Sequence, residues 1–92
     1  MKISGRRRNK LDIFADILKV ALKGALKTHI VGKANLNFRL IPPYLKTLID
    51  RGLLSKTREP FKSRYMYRTT PKGVEFLEHY QALIQAIEGP EK

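Results

Sequence analysis

A mainly α-helical fold with one small β-hairpin is predicted, and three observations predict it. Apolar residues recur at helical spacing in three stretches before residue 52 and in one more after residue 70. Between them lie two short runs of strand character, separated by a turn that contains Pro60. Glycine, asparagine and proline stand at the joints between these stretches, where helices start and stop.

The first helix is expected over residues 10–23. Asn9 supplies a side-chain acceptor for its free N–H groups, and Asp12 three residues on completes a capping box. Phe14, Ile17, Leu18 and Ala21 then follow an i, i+3, i+4, i+7 stripe that Leu11 extends, and Gly24 stops the helix. A short second helix is expected from a Thr28 cap to Ala34, with Ile30, Val31 and Ala34 on its buried side. Asn35 and Leu36 make the next turn, and Asn37 reads as the cap of a third helix that Gly52 ends. Its core stripe is Phe38, Ile41, Leu45 and Leu48.

Pro42-Pro43 complicates that helix. An interior proline removes a backbone hydrogen bond and costs ~3 kcal/mol. It also pushes the preceding Ile41 away from helical geometry. The helix either tolerates this or begins at Pro42, with residues 37–41 forming a separate turn. Residues 53–58 and 64–69 read as the hairpin strands, with Tyr65, Tyr67 and Thr69 on one face and Met66 and Arg68 on the other. Thr70-Pro71 is a strong start signal for a last helix over residues 71–88. Three helices followed by a two-stranded hairpin is the winged helix-turn-helix order, with the hairpin as the wing. The chain therefore divides into a basic arm (1–8), a winged domain (9–70), a C-terminal helix (71–88) and a tail (89–92).

Composition narrows the function. The chain has 92 residues, which make one domain, and a net charge of +11. Residues 1–70 carry 17 lysines and arginines against four acids, whereas residues 71–92 carry two lysines against four glutamates. A charge segregated in this way points to a polyanionic partner for the first part of the chain only. The chain contains no cysteine, which rules out disulfides and thiolate metal sites and fits a reducing cytoplasm. No apolar run approaches the roughly 20 residues of a membrane span, and the charged residues 2–10 do not lead into a signal-peptide core. His29 and His79 stand alone in sequence, Asp12 and Asp16 share a helix face with nothing nearby to fit one of them for general-acid work, and no metal-ligand spacing or Gly-rich phosphate loop suggests an enzyme or a cofactor.

The run KTHIVGKANLNF at residues 27–38, the pattern YL..LI..GLL at 44–54 and Y.TTPKG..FL..Y at 67–80 resemble the small archaeal winged-helix transcriptional regulators. They are also similar to the archaeal ten-kilodalton chromatin proteins, which add a coiled-coil helix. That resemblance covers nearly the whole chain, and it implies double-stranded DNA binding, homodimerisation and no catalysis. The expected location is cytoplasmic and nucleoid-associated.

The candidate DNA contacts are Lys27, Thr28 and Lys33 around the second helix, Asn35 in the turn, and Asn37, Arg39 and Lys46 in the third helix. Arg58, Lys62 and Arg64 follow in the wing. Cationic side chains and helix N-termini suit phosphates, and the planar fork of Arg39 suits a guanine edge. Any one of these lysines could equally be a solvated surface charge, and Thr28 and Asn37 read first as caps. Arg6, Arg7 and Arg8 would either reach a minor groove or add unspecific affinity as a loose tail. On the third helix the face opposite the core holds Arg39, Pro42, Pro43, Lys46 and Asp50, a poor set for reading bases.

In the last helix Phe76, Tyr80, Leu83 and Ile87 follow a heptad-like 4-3-4 spacing that Ile84 widens. An 18-residue helix extends ~27 Å, so this stripe of Phe76, Tyr80, Leu83, Ile84 and Ile87 is the candidate dimer interface, with its distal half expected to pair with a second copy. Two rival readings stay open: an RNA-binding module, for which Phe61 at the wing tip is the one evident stacking residue, and a winged-helix module that contacts only protein.

Overall fold

The computed structural model describes residues 8–88. The chain runs α1 (Lys10–Val20), α2 (Lys27–Lys33), α3 (Ile41–Asp50), β1 (Leu54–Arg58), β2 (Tyr65–Thr69) and α4 (Pro71–Glu88). The strands pair antiparallel, with Leu54 opposite Thr69 and Arg58 opposite Tyr65. The mainly helical class and the three-helix, hairpin, helix order are as the sequence predicts. Arg6, Arg7 and the tail at 89–92 lie outside the described residues.

Three boundaries read from local chemistry are seen. The Asp12 amide donates to Asn9 Oδ1 at 2.9 Å and the Asn9 amide to Asp12 Oδ2 at 3.0 Å, which is the expected capping box. Asp12 is buried, and the Tyr80 hydroxyl donates to its other oxygen, so the same carboxylate ties α1 to α4. Gly52 ends α3 at φ 78°, a left-handed conformation that glycine adopts without steric cost. Thr70 starts α4: its hydroxyl accepts from the Gly73 amide at 3.0 Å and donates to the Gly52 carbonyl at 2.6 Å.

Other expectations are corrected. α1 ends at Val20 rather than Lys23, because residues 21–23 form a turn. Leu11 is exposed and does not extend the core stripe. α2 begins at Lys27 after an extended Leu26 with no side-chain cap, so Thr28 lies inside the helix and caps nothing. Asn37 is not the cap of α3. Its side chain instead accepts from the Arg39 amide at 2.8 Å, and the Leu40 amide bonds the Asn37 carbonyl at 2.9 Å, closing a separate turn. Phe38 on that turn is 55% exposed and leaves the core stripe. α3 then opens at Ile41, which puts both prolines in its first turn. Amides there have no partner within the helix, so the prolines forfeit no helical bond and the ~3 kcal/mol interior cost is not incurred.

The core is a single cluster. α1 contributes Phe14, Ile17 and Leu18, α2 Ile30 and Val31, and α3 Ile41, Leu45 and Leu48. Leu54, Tyr67 and Leu77 close it from the hairpin and α4. One pairing was missed from sequence: Ala25 forms a bridge with Tyr67, exchanging two backbone bonds of 2.8 Å. That bridge anchors β2 to the segment before α2. With the buried bond from Thr69 Oγ1 to the Leu18 carbonyl at 2.7 Å, it fixes the root of the hairpin against the helices.

α4 divides in two. Gly73 and Leu77 are buried, and Phe76 and Tyr80 pack against the core. Beyond them Leu83 is 59% and Ile87 77% exposed, with Ile84 half-buried. Phe76 and Tyr80, read as interface residues from the heptad spacing, therefore serve this domain's own packing. The spacing is the same for both uses, and only the length of the core decides where one ends.

Candidate nucleic-acid interface

A β-strand alternates its faces, so the face of β1 and β2 that bears Leu54 and Thr69 also bears Lys56, Tyr67, Arg58 and Tyr65. At its root this face is core. Toward the tip it outruns the helices and becomes basic. Two adjoining grooves result. One, of about 420 Å³, lies between α3 and the hairpin and is lined by Lys27, Pro42, Lys46, Asp50, Lys56 and Tyr67, among others. The second, of about 470 Å³, lies between the start of α2 and β2 and is lined by Leu26, Lys27, Thr28, Lys56, Arg64, Tyr65 and Tyr67. Lys27, Lys56 and Tyr67 line both.

Five of the sequence candidates thus converge: Lys27, Thr28 and Arg64 around one groove, and Lys27 and Lys46 around the other, with Arg58 on the same hairpin face. Lys62 is exposed in the wing turn, and Lys33 closes α2. Asn35, Asn37 and Arg39 occupy the link between α2 and α3, all exposed. Asn35 takes φ 55°, a conformation that asparagine tolerates better than most residues, and this gives it a structural reason to be there.

Arg8 differs from the expectation of a free arm. Its guanidinium donates to Asp16 Oδ2 at 2.9 Å and to the carbonyls of Ala34 at 2.7 Å and Asn35 at 2.8 Å. It clasps α1 to the end of α2, and three of its donated bonds go to the protein's own oxygens.

Lys56 was missed from sequence. The signal was available: it sits two residues from Leu54 and two from Arg58, on the strand face that leads from core to wing tip. Its ammonium lies 4.3 Å from the centroid of the Tyr65 ring, which holds it over the groove. Tyr65 is exposed, and so is Phe38, which the sequence pattern places in the core stripe of the third helix.

Two ion pairs moderate the charge of this surface. Lys46 Nζ meets Asp50 Oδ2 at 2.9 Å, one helical turn apart on α3. The hydrogen bond that Lys46 donates to Asp50 holds the Lys46 pKa above its ordinary value. Arg64 Nε meets Glu59 Oε1 at 2.6 Å across the wing turn, and that hydrogen bond holds the Glu59 carboxyl below its ordinary range. Both pairs are solvent-screened, so each adds little to stability. Their effect is on what the surface offers a ligand. The exposed side chains of α3 are Pro42, Pro43, Lys46, Thr47 and Asp50, one cation already paired with one acid. Arg39, counted on this face from sequence, sits in the turn before it.

Among the described residues, no cluster of three or more His, Asp or Glu side chains could hold a metal ion, and no helix is long and apolar enough to cross a membrane.

Residues 7–88 match the family described as winged helix-turn-helix. Among solved structures, the chain is similar to Sso10a-2, a DNA-binding protein of Sulfolobus solfataricus, at 27% identity and a TM-score of 0.80 over 88% of this chain and 83% of that one. It is also similar to the PcaV transcriptional regulator of Streptomyces coelicolor, at 22% identity and a TM-score of 0.76 over 83% of this chain and 58% of that one. A third likeness is to S. aureus MepR in a complex with DNA, at 14% identity and a TM-score of 0.70 over 88% and 67%. In the last two the likeness is one of fold. No curated protein matches the sequence.

Proposed function

This chain belongs to the winged helix-turn-helix family, and from that membership we propose that it binds double-stranded DNA, as a transcriptional regulator or a nucleoid-associated chromatin protein. The observation that carries this reading is the convergence of Lys27, Lys46, Lys56 and Arg64 on adjoining grooves between α2, α3 and the hairpin. α4, by contrast, has Glu75, Glu78 and Glu88 against Lys72. The description of Sso10a-2 as a DNA-binding protein supports the same assignment. The reading assigns no catalysis and needs no cofactor.

In this arrangement α3 faces the major groove, and the cations of α2 and the hairpin contact phosphates on either side. Sequence discrimination is modest, for two reasons. Pro42, Pro43 and Asp50 offer no side-chain donor to a base edge, and the prolines also remove two of the amides that a helix N-terminus would otherwise present to a phosphate. Affinity therefore comes mainly from the backbone, and a selection from random duplexes that returned a sharp motif would overturn this part.

The direct test is titration with random-sequence duplex DNA at several salt concentrations. About six phosphate contacts imply a log–log slope near −5. Absence of binding at low salt would sink the reading and turn the search to RNA or to protein partners. A companion expectation concerns Asp50. Asp50→Asn removes the acid that holds Lys46, so duplex affinity should rise roughly three- to ten-fold at low salt, with a slope steeper by about one unit. An unchanged affinity and salt slope would mean that α3 does not face the DNA.

The proposal extends to assembly. Leu83, Ile84 and Ile87 beyond the core form an apolar stripe suited to the same helix of a second copy, making a homodimer.

A further inference from the structure

Phe61 stands at the apex of the wing and is 105% exposed, more open than in an extended reference chain. Its backbone takes φ 66°, a left-handed conformation that is an outlier for a bulky residue. Two penalties thus coincide in one side chain: an aromatic ring wholly in water, and a backbone that disfavours any side chain there. The turn is braced so that neither can relax. The Glu59 amide donates to the Arg64 carbonyl at 3.0 Å, the Lys62 amide to the Glu59 carbonyl at 3.3 Å, and Arg64 pairs with Glu59. Strain held this firmly, with no packing gained among the described residues, is characteristic of a residue kept for a ligand.

Its surroundings identify the ligand. Arg58, Lys62 and Arg64 flank the ring against the single acid Glu59, and Glu59 is already paired. An apolar ring on a narrow two-stranded support, rimmed by cations, matches a duplex at the point where a base step can open between two phosphate strands. The cavity at the tip, of about 480 Å³, is lined by Arg58 and Lys62 as well as Pro60 and Phe61, and those cations suit a phosphate strand beside the ring better than an apolar peptide.

We infer that Phe61 is a wedge: the wing enters the minor groove, and the ring inserts at a base step, partly unstacking it and bending the duplex. This rests on the duplex-binding reading above and adds to it a change in the DNA. The strained turn supplies preorganisation, because the ring is presented before contact and no loop has to be ordered on binding. The wedge also fits weak base readout by α3. Flexible pyrimidine–purine steps open most readily, so the wing would favour deformable sequences without touching their base edges.

The test is relaxation of closed circular plasmid by topoisomerase in the presence of the full chain, read as linking number after protein removal. Duplex affinity is measured alongside by fluorescence anisotropy. The wild type should lower the linking number in proportion to bound protein. Phe61→Ala should abolish that change, weaken duplex binding roughly ten-fold and leave the salt slope unaltered, since no cation is lost. Phe61→Gly should behave likewise on DNA while melting at or above the wild-type temperature, because glycine relieves the left-handed backbone; this shows that the loss is not unfolding. Duplex binding with no change of linking number, or a change that survives Phe61→Ala, overturns the wedge and leaves duplex binding standing. A preference for single strands that Phe61→Ala removes overturns it too, assigning the ring to unpaired bases. No duplex binding by any form overturns both readings.

Discussion

Gly73→Ala is expected to destabilise the chain by about 3 kcal/mol or more. For a domain of this size that lowers Tm by on the order of 12 °C or more. Gly73 lies in the first turn of α4, buried where the helix passes over the hairpin. A Cβ built there would stand 2.2 Å from the Leu53 carbonyl oxygen and 2.6 Å from Thr69 Cγ2. The first of these is backbone and cannot swing aside. Nor can the helix retreat freely, because the Gly73 amide donates to Thr70 Oγ1, whose hydroxyl is bonded in turn to Gly52. The Thr70 amide is bonded to the Leu53 carbonyl itself, at 3.1 Å. Relieving the clash therefore means giving up the cap, the junction between α3 and α4, or both. Gly32→Ala is the matched control. A Cβ at Gly32 meets nothing within 4 Å, and the residue lies inside α2. The same substitution there should stabilise by about 0.5–1 kcal/mol, through helix propensity alone. Thermal denaturation of both variants measures the contrast. If the two melted alike, close backbone approach would not be what makes position 73 a glycine.

The same junction shows why some of this fold was legible in the sequence and some was not. Wherever a boundary is written by local chemistry, the sequence carries it: the side-chain caps Asn9 with Asp12 and Thr70 before Pro71, and the left-handed Gly52 at the end of α3. Thr28 and Asn37 have the right chemistry for caps but the wrong surroundings. α2 starts from an extended Leu26 set by the Ala25–Tyr67 bridge, and that bridge joins residues distant in sequence, which no local pattern reports. Asn37 bonds forward to the Arg39 amide because Pro42 and Pro43 delay the helix, so its acceptor closes a turn instead. Phe38 follows Asn37 out of the core for the same reason. The candidate interface divides similarly. Its charge and rough location could be read from composition and element order, and Lys56 from the alternation of its strand, whereas the meeting of the Lys56 ammonium with the Tyr65 ring needed the folded hairpin. The folding back of Arg8 onto Asp16 and two carbonyls needed the tertiary structure altogether.

Leu83→Gln with Ile87→Gln is expected to turn a dimer into a monomer and weaken duplex binding by about 100-fold, without unfolding the domain. Both residues are largely exposed in the single chain, so their replacement removes almost no packing from it. The anchors of α4 on the domain are Leu77, Phe76 and Tyr80, and these are untouched. Glutamine is chosen because it leaves the charge unchanged and supports a helix, so any loss of DNA affinity must come through assembly. A dimer presents two basic faces on one duplex, and the second engages at the high local concentration set by the first. Losing it costs the avidity but leaves each face intact, and the log–log salt slope should fall by about half. Sedimentation separates the possibilities. A wild type that is monomeric at concentrations where it binds DNA tightly would sink the dimer. A dimer that persists through both substitutions would place the interface elsewhere, and would leave the exposed stripe at Leu83 and Ile87 to a different partner. A monomeric variant with undiminished affinity would show that one basic face suffices. The expected outcome, monomer with halved slope, would instead make the distal turns of α4 the element that couples two copies on DNA.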